Sequence, residues 1–237
     1  MSLEQAWWEH LGTVRWFGGK GRAGAIAALE PLDWYTPAGA VPAVRSEIAT
    51  IDYADGDREF YQLLVAHYPP GAAPVPALAR ADGADVVDAT TDPAAVAAFV
   101  AAAQAGVPGM AWAHPQSAAS RTSVWAGEQS NTTITLDGTA LFKLFRRIEP
   151  GPNLDADVLA ALDGTDAATP SLFGRLTAEW PAGVVTDLGI VIERVRDATD
   201  GWVLATDACA HARAFTAEAR ALGEALARVH ARLADAF

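Results

Sequence analysis

Positive charge and thiols are what this chain has least of. Its 237 residues carry 17 lysines and arginines against 29 aspartates and glutamates, a formal net charge of −12. Nucleic acid and anionic membrane surfaces are repelled by such a balance, which argues against both as main partners. The single cysteine, Cys209, excludes an intramolecular disulfide framework and a cysteine-rich metal site, and it fits a reducing compartment. No apolar run approaches the length of a membrane span, and the opening MSLEQAWWEHL lacks the basic-then-apolar order of a signal peptide. The expected location is therefore the cytoplasm. Lysine is scarce in its own right, with Lys20 and Lys143 as the only two, and each falls inside a motif-like stretch.

What the chain has in plenty is apolar surface. A hydrophobic content of 51% over this length can build one large core or two modest domains. Leu3 to Leu11 reads as a short amphipathic helix with Trp7 and Trp8 as its apolar payload. Arg15-Trp16-Phe17-Gly18-Gly19-Lys20-Gly21-Arg22 follows. Either its three cations hold an anion or it is a turn anchored by Trp16 and Phe17 with solvated charges. From Ala25 to His67, three strand-like runs broken at PAGA and Asp55-Gly56-Asp57 predict an antiparallel meander. A further strand is expected over Asp85 to Asp88. Asp92-Pro93 then opens an alanine-rich helix to about Ala105, with Asp92 as its N-cap.

Trp125 to Asn153 reads as chemistry rather than packing. Thr132 to Leu136 and Ala140 to Phe145 alternate like two strands joined by an Asp137-Gly138 turn, an antiparallel hairpin. At one end Gly127-Glu128-Gln129-Ser130-Asn131-Thr132 offers backbone N–H groups and hydroxyls that suit a polyphosphate, and Lys143 stands on the return strand. Pro150-Gly151-Pro152-Asn153 stops that strand. A short helix is expected over Leu154 to Leu162, with Asp155 and Asp157 in its first turn. Thr177 to Trp180 and Val184 to Arg194 read as two strands, the second an apolar buried one. Asp187-Leu188-Gly189 has the look of a metal motif but reads better as a turn between strands. Asp200-Gly201-Trp202 follows a loop. In the last segment Phe215, Ala219, Leu222, Leu226, Val229 and Leu233 recur at helical spacing, so one face of a long helix requires a partner.

These motifs, GEQSNTTI, FKLFRRIEPGPN, ATDGW and the terminal FTAEARALGEALARVHARLADAF, resemble the amino-terminal half of bacterial maltokinases and the related glucosamine kinases. RWFGGKGR resembles a motif of the cap domain that precedes the kinase lobe there. The resemblance spans most of residues 13 to 237 and implies an α+β fold. An antiparallel-sheet cap domain (1–115) leads into a protein-kinase-like nucleotide-binding N-lobe (116–205), and a C-terminal helix (206–237) would begin the catalytic lobe. It implies Ser130, Asn131 and Thr132 as phosphate-loop residues and Lys143 as the lysine on the α and β phosphates of ATP. Ile192 to Val195 is then the hinge for adenine, with Glu193 and Val195 among the nucleotide-binding residues. Asp157 stands where the family carries a glutamate paired with that lysine. Either it takes that pairing, one methylene shorter, or it is a first-turn carboxylate.

The family's HGD-type catalytic loop and DFE-like magnesium motif have no counterpart: no histidine is followed by aspartate within two residues, and no phenylalanine is preceded by one. Magnesium ligands and the hydroxyl-orienting aspartate are thus expected in an absent catalytic lobe, and no catalytic residue is assigned. The expectation is a nucleotide-binding half of a sugar kinase acting on maltose, glucosamine or a related sugar, inactive on its own. The alternative is a non-catalytic interaction module whose C-terminal helix docks on a second copy or on a partner protein, such as an enzyme of glycogen or trehalose metabolism.

Overall fold

The computed structural model describes residues 1–114, 119–125 and 130–237. The chain begins with helix α1 (Leu3–Leu11), capped by the Ser2 hydroxyl on the Gln5 N–H. The predicted meander follows as β1 (Gly24–Trp34), β2 (Ala43–Tyr53) and β3 (Arg58–Tyr68). Two short strands, β4 (Ala79–Ala81) and β5 (Ala84–Asp88), complete this first antiparallel sheet in the order β1-β2-β3-β5-β4. Helix α2 (Pro93–Ala105) starts as expected, with the Asp92 carboxylate accepting from the Ala94 N–H at 2.9 Å, and stops at Gly106 with φ +92°.

The second antiparallel sheet is built from β6 (Met110–Trp112), β7 (Thr122–Val124), β8 (Thr132–Leu136), β9 (Ala140–Leu144), β11 (Leu172–Glu179) and β12 (Val185–Glu193). Its order is β6-β11-β12-β9-β8-β7. Between β9 and β11 come β10 (Arg147–Ile148) and helix α3 (Leu154–Leu162). Helices α4 (Gly201–Ala210) and α5 (Thr216–Ala236) end the chain. None of these helices is long and apolar enough to cross a membrane.

The two sheets are joined in two ways. Strand β10 leaves the second sheet and pairs with Tyr61 and Phe60 of β3 in the first. The largest core is also shared: Phe99 of α2 packs on Tyr35 from the first sheet and Phe142 from the second, with ring centroids 5.0 and 5.1 Å away. This position explains why α2 is mostly alanine, since a helix between two sheets has room for few large side chains. It also explains why β2 and β3 are buried on both faces. Their other face holds a smaller core of Trp7, Leu11, Phe17, Ile51 and Leu63 under α1.

Two expectations need correction, and one segment left unassigned gains a structure. Asp187-Leu188-Gly189 is not a turn; it lies inside β12, with Gly189 opposite Leu144. Glycine is required there, because a Cβ would sit 2.7 Å from the Lys143 carbonyl oxygen. The chain after Asp200 is helix α4, since the Asp200 carboxylate caps the N–H groups of Trp202 and Val203. The strand expected from Thr177 starts at Leu172, where Gly174 admits β6 alongside.

On the first sheet His67 is nearly enclosed. Burial, then the charge of Arg45, lowers its pKa from 6.5 to about 4. Glu47 lies 3.9 Å away but is committed to Arg45 at 2.5 Å. The folded state thus keeps His67 neutral where the unfolded chain is protonated, so stability is complete above the unfolded pKa and is lost as pH falls through 6.5 toward 4. His67→Phe is expected to remove on the order of 2 kcal/mol from that acid loss, read from urea denaturation at neutral pH and near pH 4.5.

Candidate functional site

The residues expected to bind a nucleotide are spread over both faces of the second sheet: Thr132 and Glu193, opposite Leu144 and Ala140, share the face of the core, whereas Lys143 lies on the other. Alternation along β9 buries Phe142 and Leu144 in the shared core and turns Lys143 to the opposite face. Lys143 stands opposite Thr133 of β8 and Ile190 of β12. The Asp137-Gly138 turn between β8 and β9 forms as expected, with both residues at positive φ and the Asp137 carboxylate accepting from the Ser120 and Arg121 N–H groups.

Helix α3 lies beside this face, anchored by its N-terminus. Asn153 caps it through the Asp155 N–H, and the Asn153 N–H donates to the Asp187 carboxylate at 2.6 Å. Asp187 is buried and grips Arg175 with two contacts of 2.5 Å, while Arg175 donates to Asp157 at 2.8 Å. The bonds to Asp187, against partial burial and with help from Asp157, raise the Arg175 pKa above its ordinary range. Lys143 Nζ therefore meets a different carboxylate, Asp155, at 2.6 Å. Of the two alternatives open for Asp157, pairing with Lys143 is not the one formed. Asp157 docks α3 on β11, and its neighbour two residues earlier holds the lysine.

The loop residues divide. Ser130 is exposed, Asn131 is half-buried and Thr132 is buried. The Asn131 side-chain carbonyl accepts from the Arg146 N–H at 3.0 Å, and the Thr132 hydroxyl accepts from Arg146 Nε at 2.7 Å. Both side chains thus brace the base of the loop, which leaves Ser130 as the side chain presented outward among its described residues. Gly127, Glu128 and Gln129, expected in the same loop, lie outside the described residues. Asn131 and Trp125 line, with Arg15 and Trp16, a hollow of about 220 Å³ between the hairpin and the first sheet's loops.

At the far end of β12 is the segment expected as a hinge. The Glu193 N–H donates to the Ser171 carbonyl at 2.9 Å and the Arg194 N–H to that of Thr139 at 2.9 Å. Among the described residues the Val195 N–H has no acceptor, and its side chain is 56% exposed. Glu193 is opposite Ala140 in the register and Ile190 opposite Lys143, a separation of about 10 Å at strand rise. The lysine and the free hinge donor thus stand at opposite ends of one strand pair.

RWFGGKGR resolves toward its turn reading. Phe17 is buried, and Gly19 is needed because a Cβ would sit 2.2 Å from the Tyr53 hydroxyl. Arg22 is committed to Asp55 and Asp57 at 2.7 Å each and stacks 3.7 Å over the Tyr53 ring. Arg15 and Lys20 are exposed.

Sequence reasoning missed Arg146, Asp155, Arg175 and Asp187. Two arginines in succession at the end of a buried strand, in FRRIEP, were a signal for the first. No protein-family model matches the chain.

Proposed function

We propose that the second sheet and α3 form the nucleotide-binding half of an ATP-dependent sugar kinase resembling maltokinase, working in the cytoplasm. The observation that carries this reading is the pair Lys143–Asp155. A lysine on β9, after a small polar loop between β7 and β8, is held by a carboxylate of the helix that follows, α3. Protein-kinase-like enzymes use that arrangement to place a lysine on ATP phosphates. The Val195 N–H, without an acceptor among the described residues just beyond the end of β12, supports it, because it offers the adenine a donor at the hinge.

On this reading Lys143 neutralises the α and β phosphates and Ser130 presents its hydroxyl to them. Magnesium bound with the nucleotide would offset the phosphate charge; among the described residues no cluster of His, Cys, Asp or Glu is placed to hold it. The residues here do not suit the transfer step, since neither the His-Gly-Asp nor the Asp-Phe-Glu order occurs in the chain. The reading therefore assigns nucleotide binding to this chain and predicts no phosphorylation of maltose or glucosamine by it. Titration with ATP, compared between the chain and Lys143→Ala, is the test.

A second reading, an interaction module, is favoured by one observation. Trp202 of α4 is 78% exposed and Leu222 of α5 is 67% exposed, while α5 packs chiefly on α3 among the described elements and has no buried residue. Apolar stripes of this kind mark association surfaces. On this reading light scattering returns a mass above the 24.8 kDa of one chain. Leu222→Glu combined with Leu226→Glu then restores the monomer, whereas monomeric behaviour at all concentrations removes the reading.

A further inference from the structure

One heavily bonded side chain next to the candidate site is not used by the proposed mechanism. Arg146 follows β9 at the point where the chain crosses from the second sheet to the first, and it is 1% exposed. Each part of it is spent on a different element. Its backbone N–H holds the Asn131 side chain and its Nε holds the Thr132 hydroxyl, both at the base of the loop. Its Nη1 donates to the Gln62 carbonyl at 3.1 Å and its Nη2 to the Thr90 hydroxyl at 3.3 Å, both on the first sheet's side. Its carbonyl accepts from the Gln62 N–H at 2.7 Å. The guanidinium lies 4.3 Å from the Trp16 ring centre, so RWFGG covers it.

Among the described residues, no carboxylate bonds directly to this cation. Asp88, the nearest charge that acts on it, is itself buried and is bonded by His10 at 3.0 Å and by Thr90. A buried guanidinium needs its donors satisfied. Here that need is met by loop side chains on one side and by the first sheet and Thr90 on the other, so the loop's base is tied to the first sheet.

We infer that Arg146 is a positioning residue for the phosphate-binding loop, through which the amino-terminal sheet and its Trp16 segment hold Asn131 and Thr132 in place for the nucleotide's phosphates. The inference rests on the ATP reading above. Arg146 is enclosed and does not touch the ligand; it acts through Asn131 and Thr132. Lysine cannot replace it, because a single ammonium on a flexible stem cannot span Thr132, Gln62 and Thr90 or stack as a plane on Trp16.

The test uses NMR titrations of the isotope-labelled chain with ATP and, separately, with adenosine, alongside thermal melts. In Arg146→Lys the ATP affinity is expected to fall about tenfold, the equivalent of one charge-assisted hydrogen bond lost, while adenosine affinity stays within about twofold. Thr132→Val, which keeps the guanidinium and the side-chain shape, is expected to show the same selective loss, and it decides the matter if Arg146→Lys fails to fold. Trp16→Leu is expected to give a smaller loss of the same kind. Unchanged ATP affinity in folded Arg146→Lys and Thr132→Val, or equal losses for ATP and adenosine, overturns the inference and leaves Arg146 a packing residue. No binding of ATP by the unaltered chain removes the nucleotide reading itself, and the inference with it.

Discussion

Phe142→Ala is expected to destabilise the whole molecule by about 3–5 kcal/mol, the range for truncating a buried aromatic side chain. Phe142 is 1% exposed and meets Phe99 of α2, which in turn meets Tyr35 of the first sheet. A cavity at this point loosens the contact between sheets rather than one sheet alone. The expected consequence is a single unfolding transition, displaced as a unit, with amide exchange in β3 and in β12 slowed by the same free energy and accelerated together in the variant. Separate transitions, with only the second sheet weakened, would mean that the parts built on the two sheets fold independently. The strand exchange at β10 and the shared core oppose that outcome.

Lys143→Ala is expected to leave stability nearly unchanged and to lower ATP affinity about tenfold or more. The two effects separate because the Lys143–Asp155 pair is solvent-accessible, with side chains 29% and 55% exposed, and such pairs contribute about 0–1 kcal/mol to folding. Neighbouring carboxylates sharpen the comparison. Asp155→Asn is expected to weaken ATP binding about threefold by releasing the lysine. Asp157→Asn loosens the contact between α3 and Arg175 and acts mainly on stability. If Asp157→Asn impaired nucleotide binding more than Asp155→Asn, the pairing seen in the structure would not be the one used.

Much of the architecture was legible because local signals and burial agreed. Asp92-Pro93 before an alanine run, Asp137-Gly138 between alternating strands, and the apolar spacing of Phe215 to Leu233 each correspond to an element found there. Legibility failed where tertiary contact outweighed local propensity. Asp187-Leu188-Gly189 looks like a turn in isolation, yet Asp187 is held by Arg175 and Asn153, and Gly189 lets β9 approach. The position of Lys143 followed from alternation. Its partner did not, because two aspartates in one helical turn differ only in the direction they face, and that direction is set by Arg175 from a strand 18 residues beyond Asp157. The work of Arg146 was invisible for the same reason: its bonds reach Gln62 and Thr90, across 84 and 56 residues of sequence.

The central claim is that this chain binds a nucleotide through Lys143. NMR titration with ATP tests it most directly: the account predicts weak, saturable shifts spreading from Ser130 and Lys143 to Val195, absent in a folded Lys143→Ala variant. Saturable binding that survives Lys143→Ala, or no binding by a chain whose spectrum shows it folded, would contradict it.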